Sequence, residues 1–505
     1  MRTANSIKNI ISVILPYFII GLLGFIKSKV FVTSFSDDIY SLNQLFFQIL
    51  GYFSLAEAGF ETFIMQKYYK AFSDDDRIEV NKIFSTSVVH FRIIGSVILC
   101  AGFCVMFFVE NLTKAQVNAT YLKLIFMMFV IKNTIEYFLM CPRIVINSDQ
   151  KAFKTNLYVN GIRIIENISD IFLAYIGIDY LVILIPGIVI RIVFNILINK
   201  KVYKEYPWLE RGKYKYYPQY IRGMSNLIYQ RIAGILNSNT DIILISTFVN
   251  PIAVITYTSY NYITKFVNDT LFVVANSITP SFANLLHEDE EHKSFKIFEE
   301  MSIGFFFIAS FFGSVFFLIL DPFVEMWMGE KYLCDKFVLF LMIYIMFDSI
   351  ARRMMSTVVN SLGLFKETKV CVIAETIVNL ILSIVWVKKF ALQGVLLGTV
   401  IAVLTTSGWY TPYYIYRKVF NASPLMFVRD YLCSIISCII LVWFQKCIII
   451  DLTTPIRWFA GSFIYCMITF LGLLVIFGIW SKTFRNMIMR LCFLVKNFIR
   501  KEKRL

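Results

Sequence analysis

The 505-residue chain is far more apolar than a soluble domain. Hydrophobic residues make up 58% of it, charged residues 16%, and its mean hydropathy is +0.67, against roughly 45–50% apolar and about 25% charged residues in soluble domains. A soluble fold cannot bury that much apolar surface, so the composition predicts an all-α polytopic membrane protein. Transmembrane β-barrels are excluded, because the apolar runs are long and continuous rather than alternating.

The net charge of +15 does not indicate a nucleic-acid-binding protein. Lys and Arg lie between the hydrophobic segments and in the C-terminal tail, a placement that suits orientation in a membrane and attraction to anionic lipids. The ten cysteines form no C-x-x-C pair and the three histidines are scattered. We therefore expect neither a metal site nor a bound cofactor.

About fourteen apolar segments are long enough to span a bilayer, which takes roughly 20 residues. In chain order we predict membrane-crossing helices over residues 9–34, 40–64, 83–109, 120–141, 153–177, 180–199, 221–248, 252–281, 296–320, 336–360, 368–388, 391–416, 425–447 and 456–480. The stretch from Ser481 onward is basic and amphipathic, and we expect it to lie on the inner leaflet.

The basic connections alternate with connections that are poor in Lys and Arg. By the positive-inside rule this predicts cytoplasmic N- and C-termini and an even number of helices. The longest connection, a basic and tyrosine-rich linker, divides the chain into similar halves. We predict a six-helix bundle over residues 1–199, a cytoplasmic linker over 200–220, a second six-helix bundle over 221–420, an additional two-helix hairpin over 421–480 and a cytoplasmic tail over 481–505.

The hairpin of the seventh and eighth helices, which turns at Asn250-Pro251, contains charges at membrane depth: Arg231 and Asp241, then Lys265 and Asp269. Each costs about 2.5–3.5 kcal/mol at the centre of a helix and usually faces a partner or a water-filled cavity. Two interpretations remain open. The charges are structural ion pairs that lock the hairpin, or the two cations face a cavity and bind an anionic solute.

Other helices also contain ionisable residues. Glu57 and Glu61 are four residues apart in the second helix, and Arg163, Glu166 and Asp170 form a stripe on the fifth that we expect to face the interior. A solvated helix end or a structural network competes with ion coupling or cavity lining for these groups. Lys132 and Glu136 form another spaced pair, and we expect them to approach that stripe. Lys27, Arg191 and Arg92 are candidates to extend to the headgroups, and Asp348 is spaced to pair with Arg352.

Six stretches follow one another in an order and spacing that are specific together, although no single motif is diagnostic: NIISVILPYFIIGLLGFI, LAEAGFE, LNSNTDIILIS, YTSYNYI, SITPSF and SLGLFKETKVCVIAETIVNLILSIVWVKKFALQGVLLGTVIAVL. Over nearly the whole chain they resemble the Wzx-type polysaccharide flippases of the MOP (multidrug/oligosaccharidyl-lipid/polysaccharide) superfamily. The resemblance implies two pseudo-symmetric, MATE-like six-helix lobes around a central cavity. It also implies movement of an undecaprenyl-pyrophosphate-linked sugar unit from the inner to the outer leaflet.

We therefore predict a non-enzymatic flippase for O-antigen or capsule units in the bacterial inner membrane. Its expected partners are a lipid-linked oligosaccharide, membrane lipids, a polysaccharide polymerase, a chain-length regulator and a coupling proton or sodium ion. The candidate head-group residues are Arg231, Lys265, Arg163 and Lys27. The candidates for ion coupling or a charge network are Asp241, Asp269, Glu57, Glu61, Glu166, Asp170 and Asp348. The alternatives are an ion-coupled multidrug exporter and a polysaccharide polymerase or ligase.

Overall fold

A computed structural model describes the backbone of residues 2–57, 59–212, 214–221, 225–287, 291–448 and 450–502. Within these ranges it leaves out the side chains of residues 2–15, 225–233, 237–238, 280, 287, 291–292, 491 and 494–502. The chain divides into two compact units, unit 1 (Met1–Ile255) and unit 2 (Thr256–Leu505).

Unit 1 contains nine α-helices. They are α1 (Arg2–Ser34), α2 (Asp37–Phe53), α3 (Phe60–Ser73), α4 (Arg77–Met106), α5 (Ala119–Leu139), α6 (Cys141–Ser148), α7 (Phe153–Tyr175), α8 (Tyr180–Glu205) and α9 (Ser225–Phe248) in the part of the chain that the structure describes. The helix α9 packs along α2, which places it in this unit. The boundary of the compact unit therefore lies later in the chain than the boundary of the predicted first bundle.

Unit 2 holds the remaining described helices. They are α10 (Pro251–His287), α11 (Glu291–Trp327), α12 (Lys336–Ala351), α13 (Arg353–Leu362), α14 (Phe365–Thr405), α15 (Ser407–Tyr414), α16 (Leu425–Lys446), α17 (Pro455–Trp480) and α18 (Lys482–Glu502). The first residues of α10 belong to unit 1. A single π-helical turn, Ile415–Val419, continues α15. The tail helix α18 packs on α11 through the stacked rings of Phe484 and Phe307 and through an ion pair from Arg490 to Glu300 at 2.9 Å.

Each of the fourteen predicted segments coincides with a helix or with a pair of successive helices. Seven described helices are long and apolar enough to cross a membrane, and eight if α5 and α6 form one bent span. The helix α7 falls outside this set because Arg163, Glu166 and Asp170 lie close together in it. The all-helical, polytopic fold class is confirmed. The fourth predicted helix of the first bundle ends at the bend between α5 and α6, and the fourth of the second bundle breaks between α12 and α13.

The connection after α8 is a strap (residues 206–221) that is tied to α4. Asn81 donates a hydrogen bond from Nδ2 to the carbonyl of Trp208 at 3.2 Å and accepts one from the Glu210 amide at 2.9 Å. Further along, the Ser85 hydroxyl donates to the Lys215 carbonyl at 2.8 Å. Burial and the hydrogen bond to Asp149 raise the pKa of Tyr206, so this contact persists at alkaline pH. The described residues of the strap are thus fixed against unit 1.

We expect Asn81→Ala to release the strap, because the substitution removes both hydrogen bonds, each of which contributes about 1 kcal/mol. Limited proteolysis with trypsin in detergent should then cut after Arg211 or Lys215 several times faster than in the wild type. Gln219→Ala, at an exposed position of the strap, should leave the cleavage rate unchanged. Equal cleavage of N81A and wild type would show that other contacts hold the strap.

The helix α14 reverses direction at Ala391, which has φ 49° and ψ −128°. Side chains twenty positions apart meet across the reversal, since the Thr399 hydroxyl donates to Asn379 Oδ1 at 3.2 Å. Gly394 and Gly398 bring the two arms close: a Cβ on Gly394 would lie 2.3 Å from the Trp386 carbonyl oxygen. This G-x-x-x-G spacing is the pattern that lets membrane helices approach closely. The predicted helices at 368–388 and 391–416 are thus the arms of one tight hairpin.

Candidate functional site

Two neighbouring polar cavities lie in unit 1. The large cavity has a volume of about 350 Å³ and is lined by Phe47, Leu50, Gly51, Phe53, Glu57, Glu61, Ile98, Asn133, Glu136, Tyr137, Met140 and Arg143. The small cavity has a volume of about 20 Å³ and is lined by Lys27, Phe31, Asn43, Phe47, Phe129, Lys132, Asn133, Asp170, Tyr180, Ile183, Leu184 and Arg191. Phe47 and Asn133 line both.

Two broken helices form the large cavity. The helix α2 ends at Phe53, a short 3₁₀ turn follows, and α3 starts after Gly59, whose φ of 79° is accessible mainly to glycine. The helices α5 and α6 meet at a bend of 52°, with Pro142 in the first turn of α6. Proline lacks the amide proton that a continuous helix would need there. Interrupted helices are tolerated at membrane depth where they line a cavity or are buried in protein.

The large cavity is acidic. It brings together Glu57 and Glu61 near the first break and Glu136 and Arg143 near the second. Arg143 Nη1 donates to Glu136 Oε1 at 2.7 Å, across the bend between α5 and α6. The predicted pair from the second helix therefore shares a cavity with an ion pair that sequence spacing did not reveal, since Glu136 and Arg143 are seven positions apart.

A buried charge network lies beside the small cavity. Lys27 on α1 contacts Asp170 on α7, with 2.5 Å between Nζ and Oδ2. Arg191 on α8 binds both carboxylate oxygens of Glu166, at 2.5 Å from Nε and 3.2 Å from Nη2. Lys132 on α5 lies farther from Glu166, with 3.9 Å between Nζ and Oε2. Three separate helices thus bring cations to the two carboxylates of α7.

The network corrects several expectations. Glu166 and Asp170 face the interior as predicted, but Arg163 is exposed on α7, two turns along the helix from Asp170. Lys27 and Arg191 do not extend to the headgroups, because each has a buried carboxylate partner. Lys132 approaches the stripe on α7 as predicted. Arg191, which sequence reasoning assigned to the interface, is the best-bonded cation of the site.

The described charged side chains of α9 and α10 are less buried than the two carboxylates of α7. The Arg231 side chain lies outside the described residues. Asp241 is half-buried and follows Thr240, whose hydroxyl is 2.5 Å from Tyr52 Oη on α2. Lys265 and Asp269 are both exposed on α10. The side chains of Lys265 and Asp269, which are four residues apart, are therefore not buried.

Unit 2 has its own buried ion pair. Arg352, at the break between α12 and α13, donates from Nε to Asp348 Oδ2 at 2.8 Å. Tyr431 on α16 donates to the other oxygen of Asp348 at 2.9 Å. The predicted pair of Asp348 and Arg352 is therefore present. Since these partners hold both oxygens of Asp348, the group stabilises the break between the two helices.

An apolar groove of about 520 Å³ also lies in unit 2, between α11, α12 and α16. Aromatic and aliphatic side chains dominate its lining, which also includes Gly313. Lys446 and the exposed Trp443 line it near the end of α16. Among the described residues, no cluster of His, Cys, Asp and Glu is arranged to hold a metal ion.

No family model and no curated protein matches the chain. The fold is similar to solved transporters. A structure of the lipid II flippase MurJ in an inward closed conformation has a TM-score of 0.67 and 15% identity, covering 94% of this chain and 98% of that one. An inward-facing multidrug resistance MATE family transporter of the MOP superfamily has a TM-score of 0.55 and 14% identity, covering 83% and 95%. A MOP superfamily transporter from Pyrococcus furiosus, described as having a binding pocket of reversed polarity, has a TM-score of 0.51 and 13% identity, covering 85% and 95%. These likenesses show that the chain shares the fold of these three proteins.

Proposed function

We propose that this protein is a flippase that moves an undecaprenyl-pyrophosphate-linked oligosaccharide from the inner to the outer leaflet of a bacterial inner membrane, for O-antigen or capsule assembly. The observation that carries the proposal is the likeness to a lipid flippase over 94% of the chain. The likeness to the multidrug resistance transporter covers a smaller share, 83% of the chain. Buried charge in several helices adds support, because charges at membrane depth mark the path of a polar solute.

The substrate has an anionic head and an apolar tail, and each needs its own surroundings. We assign Arg231 and Lys265 to the pyrophosphate, since charge-assisted contacts to phosphate are short and strong. Exposed Arg163 is a further candidate, whereas Lys27 is already neutralised by Asp170. The apolar groove of unit 2 offers a surface for the tail. In this proposal both termini are cytoplasmic, and a polymerase and a chain-length regulator use the product.

The acidic large cavity of unit 1 suits a cation. Glu57 and Glu61 are our candidates for a coupling proton or sodium ion, and half-helix ends commonly serve such ions in transporters. The same cavity is the specific observation that favours a second function, an ion-coupled multidrug exporter with cationic substrates. That reading predicts drug resistance on overexpression and no effect on surface glycans.

A flipping assay tests the proposal. Proteoliposomes containing the protein and a fluorescent undecaprenyl-pyrophosphate disaccharide should show probe movement between leaflets, read with a membrane-impermeant quencher. We expect Arg231→Ala and Lys265→Ala each to reduce the initial rate at least tenfold at unchanged protein level. Lys389→Ala, at an exposed position next to the α14 reversal, is the matched control and should flip normally.

The outcomes separate the two functions. Wild-type protein that moves the probe at the rate of empty liposomes, but exports a cationic dye, establishes the exporter reading. Wild-type activity that persists in both variants removes Arg231 and Lys265 from the head-group site. In cells, loss of surface polysaccharide in the same two variants at unchanged protein level is the expected result.

A further inference from the structure

The small cavity of unit 1 contains an unsatisfied acceptor. Asp170 lines it and is 3% exposed, and its Oδ1 atom is buried with no hydrogen-bond partner, while Oδ2 is bound by Lys27. The volume of about 20 Å³ is enough for one water molecule, which needs roughly 10–15 Å³. A donor that fits this cavity would satisfy the free carboxylate oxygen.

The charges around the cavity do not balance. The network has three cations, Lys27, Lys132 and Arg191, and two carboxylates, Glu166 and Asp170. None of the unit 1 residues whose side chains the structure leaves out is Asp or Glu. These are residues 1–15, 58, 213, 222–233 and 237–238. One positive charge is therefore in excess, and an unpaired buried charge costs several kcal/mol.

Lys132 is the cation with the weakest partner. Its Nζ lies 3.9 Å from Glu166, whose oxygens are already bound by Arg191. It is 8% exposed and packs so tightly against Gly187 of α8 that a Cβ there would lie 2.4 Å from Nζ. Arg191 keeps its charge at all accessible pH values, and Lys27 has a close carboxylate. The network becomes neutral when Lys132 is without its ammonium proton.

A small anion would also balance the charge, but the cavity does not suit one. An anion there would face the unpartnered oxygen of Asp170, which is itself negative, whereas water can donate to that oxygen. We propose that the small cavity is a proton-binding site of the transport cycle, and that Lys132 takes up and releases the proton. This rests on the proposed function in so far as a transport cycle exists, and it makes the coupling ion a proton.

The step is a simple proton transfer. The ammonium of Lys132 gives its proton to the water in the small cavity and becomes a neutral amine, and the water passes the proton on. The neighbouring large cavity receives it, because Phe47 and Asn133 line both cavities and Glu136, Glu57 and Glu61 lie beyond them. Asn133 is held between the two by accepting from Arg191 Nη1 at 3.2 Å and donating to the Phe129 carbonyl at 2.9 Å.

The groups that face Lys132 come from each neighbouring helix. Among the described residues they are Lys27 on α1, Asn43 on α2, Glu166 and Asp170 on α7, and Tyr180 and Arg191 on α8. On its own helix, Glu136 lines the large cavity and is paired with Arg143. The charged side chains of α4 lie between Arg77 and Arg92, and Arg92 stacks over Tyr214 of the strap at 5.2 Å. Lys132 is thus set among two carboxylates and two other cations.

A difference titration of the purified protein in detergent tests the site without any substrate. When the pH is lowered from 9 to 5, the wild-type protein should take up about one more proton per molecule than the Lys132→Gln variant. Lys123→Gln is the matched control on the same helix, because Lys123 does not line the small cavity and forms a part-exposed pair with Glu110. If wild type and K132Q bind the same number of protons, the site is overturned. Lys132→Met, of similar length, replaces K132Q where that variant does not fold.

The flipping assay tests the coupling. An imposed pH gradient should speed probe movement by wild-type protein at least threefold and leave K132Q unaffected, and Lys132→Arg, which stays charged, should slow it about tenfold. Flipping by K132Q that still follows the gradient overturns the role of Lys132. A wild-type protein that binds the extra proton but does not move the probe contradicts the proposed function and leaves the proton site established.

Discussion

Glu166→Gln should destabilise the protein more than any other single change in the charge network. Glu166 is 7% exposed and binds Arg191 through two hydrogen bonds, with Lys132 nearby. Glutamine preserves the shape and removes the charge, so three cations would remain around one carboxylate. Breaking a buried pair in this way costs about 3–5 kcal/mol. We expect a large fall in melting temperature in detergent and a low yield of folded protein.

The partner substitution gives the decisive control. Glu166→Gln combined with Arg191→Met restores the charge excess to its wild-type value, so the double variant should recover most of the lost stability, and the double-mutant cycle measures the coupling. Glu110→Gln removes a carboxylate from the part-exposed pair with Lys123 and should cost less than about 1 kcal/mol. Equal melting temperatures for E166Q and E110Q would show that the network does not hold unit 1 together.

Gly394→Leu should disrupt the hairpin of α14. Any Cβ at this position would lie 2.3 Å from the Trp386 carbonyl oxygen and 2.9 Å from the Val387 nitrogen. Both are backbone atoms and cannot rotate away, so the arms must separate. Separation also breaks the hydrogen bonds from Ser383 to the Val395 carbonyl and from Thr399 to Asn379. We expect a loss larger than the ~1–3 kcal/mol typical of overpacked side chains.

A glycine without neighbours provides the matched control. Gly478 lies inside α17, and a Cβ there would meet nothing within 4 Å. Gly478→Ala should therefore keep or raise the melting temperature, because alanine is favoured over glycine in a helix by about 1 kcal/mol. Gly394→Ala should already lower it. If G394A and G478A melt together, the close approach of the two arms is not needed for stability.

Local pattern predicted most of the helical framework. Continuous apolar runs and the turn at Asn250-Pro251 located the helices to within several residues, because a membrane-crossing helix satisfies its own backbone hydrogen bonds and needs only length and hydropathy. The breaks were harder to see. Nothing in the apolar pattern distinguishes the interruption at Gly59 from a continuous run, whereas the reversal at Ala391 falls at the predicted boundary between the helices over 368–388 and 391–416.

Sequence by itself determined that charged residues lie at membrane depth and on which helices they lie. Only the tertiary structure decided their partners: Lys27 meets Asp170 143 positions away, and Arg191 meets Glu166 instead of extending to the interface. Spacing along one helix predicts pairs three or four residues apart, as for Asp348 and Arg352. It contains no information on which faces of separate helices meet. Those faces are set by side-chain packing across the bundle, and this packing determines which cation is left without a close carboxylate.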